Sequence, residues 1–137
     1  LVFLTAITNV YLTFIKTATD GTEEIKSYYL AEEGIEAVKT LRDGSWASNI
    51  ETLSTTTDYY LEWSGTAWLS TETEQVVDGF YRTFTVTDAF RDGNDDLAVS
   101  GTFDPDTRKL QVDVSWSKDN ATTTESIETY ITNIFDN

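Results

Sequence analysis

The sequence predicts an α+β fold: a long N-terminal α-helix, apolar at its head and amphipathic at its tail, packed on a C-terminal antiparallel β-sheet. Three observations predict it. Apolar residues recur at steps of three and four up to about Arg42. From about Tyr59 they alternate with polar ones instead, the period of a half-buried strand. Between the two regimes stands Asp43-Gly44, where glycine accepts the left-handed conformation that ends a helix.

Within the tail of the helix, Ile25, Tyr28, Ala31, Ile35, Val38 and Leu41 fall on one stripe, while Glu24, Glu32, Glu33, Glu36 and Lys39 fall largely off it. That stripe is expected to face the sheet. The head is different. Leu1, Phe3, Leu4, Ile7, Val10, Tyr11, Phe14 and Ile15 spread around most of the circumference. A helix apolar nearly all round is buried in something other than its own domain, either lipid or other helices. Fifteen residues precede Lys16, and a bilayer span needs ~20. The expected organisation is a protruding head over residues 1–22 and a globular domain over 23–137, with helix over 23–43 and sheet from about 58 to 135. A local break is expected near Asp20–Thr22, where Gly21 costs a helix ~1 kcal/mol.

The strands follow in order. YYLEW and TAWLS form a hairpin turned at Ser64-Gly65. FYRTFTVTDAF carries Phe80, Phe84 and Val86 on one face, and LAVSGTF reads as a shorter strand. Asp104-Pro105-Asp106-Thr107 reads as a turn, with proline preset at its second position. KLQVDVSWS alternates most cleanly, with Leu110, Val112, Val114 and Trp116 pointing one way, and SIETYITNI closes the chain. A sheet with one polar face is covered on the other. Ile35, Val38 and Leu41 with Trp46 are the cover, and Leu110, Val112, Val114 and Trp116 are what they cover.

Composition excludes several functions. The chain has no histidine, cysteine or methionine, which removes the commonest general base, the thiol nucleophile and every His or Cys metal site. Its 24 acidic against 9 basic residues leave a net charge of −15. A field of that sign repels nucleic acid, so no nucleic-acid partner is expected. Carboxylate pairs such as Glu32/Glu33 and Glu72/Glu74 belong on solvated faces, and no enzyme is expected.

The stretch YYLAEEGIEAVKTLRDGSW, followed in order by YLEWSGTAW, YRTFTVTDAFRDGNDDLAVSGTFDPDTRKLQVDVSW and TYITNIFDN, resembles the type IV pilins and related pseudopilins. The resemblance covers Tyr28 to Asn137. It implies a pilin-like fold and a subunit of an extracellular helical filament, assembled through the N-terminal helix and anchored in the inner membrane beforehand. Identical subunits would be the partners, and motility, adhesion and DNA uptake are the family's roles. The family's mature chain starts with a methylated Phe and carries Glu at its fifth position. Leu1 and Thr5 stand there instead, so this chain is expected to begin inside that helix. The alternatives are a minor pilin or type II secretion pseudopilin, or a surface adhesin using Trp63, Trp68 and the threonine-rich loops.

Calcium is the one cofactor with a candidate site. Asp92, Asn94 and Asp96 sit at i, i+2 and i+4, like the opening of a calcium loop. The sixth position then lacks glycine and Phe103 stands at the twelfth, which an Asp/Asn turn explains more simply. Of the tryptophans, Trp46 and Trp116 are expected in the core, leaving Trp63 and Trp68 at the hairpin as the exposed pair. Asn120-Ala121-Thr122 matches the glycosylation triplet by pattern.

Overall fold

The computed structural model describes residues 2–135, with side chains from Ile7 onward. Helix α1 (Val2–Gly44) is followed by a one-turn helix α2 (Trp46–Asn49) and seven strands. These are β1 (Tyr59–Trp63), β2 (Trp68–Thr71), β3 (Val76–Val77), β4 (Phe80–Arg91), β5 (Leu97–Ala98), β6 (Thr102–Lys118) and β7 (Ala121–Thr132). They form one antiparallel sheet in the order β2-β1-β4-β6-β7, with β3 and β5 paired to the two ends of β4. Two-residue turns close β3–β4 and β6–β7. Asp78-Gly79 and Asp119-Asn120 all adopt positive φ there, as the hairpin turn that matches strand twist requires.

Alternation along β4 and β6 turns Phe80, Phe84 and Val86, and Leu110, Val112, Val114 and Trp116, onto the face covered by α1. Tyr59 and Leu61 of β1 and Ile131 of β7 extend that layer, and Val38, Leu41, Trp46 and Ile50 close it from above. The predicted core is present, with Ile35 half-buried at its margin.

The helix presents a different stripe from the one its apolar residues mark. Ile25 and Tyr28 lie 60% and 54% exposed, whereas Ser27, Ala31, Gly34, Ala37, Val38 and Leu41 are buried. The reason is distance. A Cβ added at Gly34 would stand 2.8 Å from Val112 Cγ1 and 3.2 Å from Arg82 Cδ. At that separation only small residues fit beside Gly34, so Ile25 and Tyr28 are turned away from the sheet, while Val38 and Leu41 reach the core farther along the helix.

Arg82 is the inward residue between Phe80 and Phe84 and is 3% exposed. Its Nη1 donates to Glu33 Oε2 at 2.5 Å and to the Leu30 carbonyl at 3.2 Å. The guanidinium lies 5.3 Å from the centre of the Trp68 ring. A buried cation so placed ties helix to sheet through a charge-assisted bond.

Three local expectations are corrected. First, α1 continues through Asp20–Thr22 without a break. Thr17, Thr19 and Thr22 donate to the carbonyls of Thr13, Ile15 and Ala18, and Asp20 and Glu23 bond to β6. These contacts outweigh one glycine. Second, Asp104–Thr107 lies inside β6 and is not a chain reversal. Pairing steps from Asp88↔Arg108 to Ala89↔Asp104, so residues 105–107 bulge from the ladder and Pro105 owes it no N–H. Third, LAVSGTF divides between β5 and the start of β6.

Gly34→Leu should lower unfolding free energy by ~1–3 kcal/mol through overpacking against Val112. Gly21→Ala, with nothing within 4 Å of the new methyl, should raise it by up to ~1 kcal/mol. Urea denaturation of both variants checks the pair. A neutral Gly34→Leu would mean that the helix does not rest on the sheet at that point.

Candidate assembly surface

The helix outruns its own sheet. From Ile7 to Ile15, Ile7, Val10, Tyr11, Leu12, Phe14 and Ile15 are all exposed, Val10 to 71% and Phe14 to 68%. Of the other predicted head residues, Leu1 lies outside the described residues, and so do the side chains of Phe3 and Leu4. Leu12 belongs to the same surface, because a helix apolar on every side needs no particular phase. The apolar surface continues past the head. Ile25, Tyr28 and Tyr29 stay exposed, and with Gly21 and Glu24 they line a shallow recess of about 560 Å³.

Four of the threonines that dilute this helix are satisfied within it. Thr13 donates to the Asn9 carbonyl at 2.8 Å, and Thr17, Thr19 and Thr22 repeat the arrangement at 2.9–3.0 Å. A hydroxyl already bonded to the turn before it loses little when its surroundings turn apolar. The segment can therefore be buried without stranding a donor in each turn.

The β6–β7 hairpin grips the helix below the head. Lys16 Nζ lies 2.7 Å from Asp119 Oδ2, and Lys118 Nζ lies 3.3 Å from Asp20 Oδ2. One turn farther on, Trp116 Nε1–H donates to Glu23 at 3.2 Å. Attachment thus begins at Lys16, inside the 1–22 segment expected to protrude. Nothing in the sequence announces the Lys16–Asp119 pair, whose members are 103 residues apart. Their shared hydrogen bond, followed by the charge attraction, raises Lys16 above its ordinary value and lowers Asp119 below its own.

At the calcium candidate, Asp92 and its neighbours form a hydrogen-bonded turn. Asp92 Oδ1 accepts the backbone N–H groups of Asn94 and Asp96 at 2.8 and 3.1 Å, the bonds of an Asx turn. Arg91 supplies the local cation. Its Nε donates to Asp104 at 2.6 Å and its Nη1 to the Asp95 carbonyl at 2.8 Å. Burial pushes the Asp104 carboxyl up, but the bonds from Arg91, Thr107 and the Asp106 amide bring it below its ordinary value. Among the described residues, no group of three His, Cys, Asp or Glu side chains is placed to hold a metal.

No protein family, curated protein or solved structure matches this chain. Among the described residues, no helix is long and apolar enough to cross a membrane.

The hairpin grip predicts a definite pH and salt dependence. The lowered Asp119 makes the contact present above the ordinary carboxylate range and lost as pH falls through the lowered value. The raised Lys16 makes it present below the ordinary lysine range and lost as pH rises through the raised value. Between those limits, amide exchange over Thr13–Asp20 should be slow at low ionic strength. It should accelerate in 1 M salt, where the Debye length falls to ~3 Å, or in Lys16→Ala, with the melting temperature of the sheet domain unchanged. Exchange indifferent to both would show that the hairpin does not hold the stem.

Proposed function

We propose that this chain is a structural subunit of an extracellular helical filament of the type IV pilus kind, polymerising through its N-terminal helix. The observation that carries the reading is the continuous apolar surface from Ile7 to Ile15 on a helix that its own domain leaves uncovered. An exposed apolar surface of this extent marks a partner. Neighbouring copies of the same helix are the partner that the all-round distribution fits, because a bundle buries every side of each member.

The mechanism is transfer of the head from one apolar environment to another. Before assembly it is lodged in the inner membrane, and afterwards it packs at the filament axis with the sheet domains outside. Each contact is heterologous and repeats without closing, which generates a helix of subunits. Relative to water, burial of Ile7, Val10, Tyr11, Leu12, Phe14 and Ile15 at roughly 1.5–3 kcal/mol for each large side chain is worth on the order of 10 kcal/mol per subunit, which holds the head in one apolar environment or the other and opposes its release into solvent. The net charge of −15 resides on the sheet domain, which keeps the outer wall hydrated and opposes side-by-side association. The role is mechanical, and no catalytic residue or cofactor takes part in it.

Phe14→Asp should abolish filaments seen by electron microscopy of sheared surface material while the sheet domain still unfolds cooperatively at the parental temperature. A chain lacking residues 1–15 retains the Asp20–Lys118 pair and should be a soluble, folded monomer. Filaments that formed from either variant would overturn the reading.

A further inference from the structure

The inner face of the sheet extends beyond the helix that covers it. Tyr59, Leu61 and Trp63 share one face of β1; the first two are in the core, but Trp63 is 55% exposed. Its cross-strand partner is Trp68, half-buried and packed against the core. The two rings meet edge to face, centroids 5.4 Å apart and planes at 63°. With Arg82, Glu33, Glu62 and Gln75 they line a groove of about 350 Å³.

The groove combines an open aromatic face, carboxylate and amide side chains at its rim, and a cation fixed in its wall. Arg82 stacks on Trp68, is paired with Glu33, and keeps its Nε buried without a hydrogen-bond partner. These features select by charge. A cationic ligand would meet the Arg82 guanidinium, which already occupies the Trp68 ring. An anionic ligand would meet the half-exposed Glu33 carboxylate in a chain of net charge −15. A neutral ligand suits the groove if one side is apolar enough to lie on an indole and its rim is rich in hydroxyls. Those hydroxyls can donate to carboxylates and exchange both kinds of bond with an amide. That description is a sugar ring.

We infer that the groove between β1, β2, β3 and α1 binds a neutral saccharide of one or two rings, with Trp63 as its stacking platform and Glu33 and Gln75 as its hydroxyl-binding groups. The site lies in the sheet domain, away from the apolar head, and does not depend on the filament reading.

The test is a titration of the full chain, held in a polyoxyethylene detergent because alkyl glycosides would compete for the groove. Glucose, galactose, N-acetylglucosamine, maltose, lactose and cellobiose are added while the four indole N–H resonances are followed by NMR. Trp46 and Trp116, buried in the core, serve as internal references. At least one saccharide should shift Trp63 and Trp68 saturably and leave the references in place. Trp63→Ala should weaken that binding roughly tenfold or more, and Gln75→Ala should weaken it with the fold intact by circular dichroism. The inference is overturned if no saccharide moves the pair, or if the shifts survive Trp63→Ala. It is equally overturned if tetramethylammonium or sulfate moves the pair more strongly than every sugar, since the groove would then serve a charged ligand.

Discussion

The close approach of α1 to β6 at Gly34 and Val112 is the constraint on which the other features depend. With no room for a Cβ there, the helix axis lies low over the sheet, and the buried stripe is made of Ser27, Ala31, Gly34 and Ala37 before Val38 and Leu41 continue it. Interior packing density then comes from the strands, whose Phe84, Leu110, Val112 and Val114 rise to meet a nearly smooth helix face. The same proximity lets Arg82 lie along the helix, its stem passing Gly34 and its guanidinium reaching Glu33. A bulkier helix face would lift α1 and pull that pair apart.

A helix that spends its small residues on its own sheet has its large ones left for other surfaces. Ile25, Tyr28 and Tyr29 are exposed for that reason, and they extend the apolar surface of the head down the flank of the domain. The chain thus separates two kinds of burial along one rod. Over Gly21 to Ala37 small residues mediate most of the intramolecular contact, and Ile25, Tyr28 and Tyr29 stand free, while Val38 and Leu41 join the core farther on. Both sets occur together over Gly21 to Tyr29, where Ser27 faces inward between the exposed Ile25 and Tyr28.

Much of this was legible in the sequence, because strand alternation is a strong signal. Leu110, Val112, Val114 and Trp116 lie where their two-residue spacing puts them, and so do Phe80, Phe84 and Val86. The helix stripe was legible only in part. A reading by hydrophobicity favours Ile25 and Tyr28 and overlooks Ser27 and Gly34, which are buried because they are small. Arg82 escaped for a related reason, since its type belongs outside and only its place in the alternation of β4 points inward. Asp104-Pro105-Asp106 carries every sign of a reversal, yet the ladder with β4 resumes on either side of it. Local turn chemistry there yields to pairing that spans the whole strand. The grip of Asp119 and Lys118 on the helix, like the groove at Trp63, joins segments far apart in sequence and becomes visible only once they are folded together.

The hairpin at Asp119-Asn120 also gives α1 a fulcrum. Beyond Lys16 the helix runs on to Val2, about 21 Å at 1.5 Å per residue, and its side chains from Ile7 to Ile15 are exposed. Over such an arm a tilt of ~10° at the fulcrum displaces the tip by about 4 Å, most of the 5.4 Å pitch of one helical turn. Small adjustments where Lys16 meets Asp119 are therefore magnified into the register in which the far end can mesh with anything it touches.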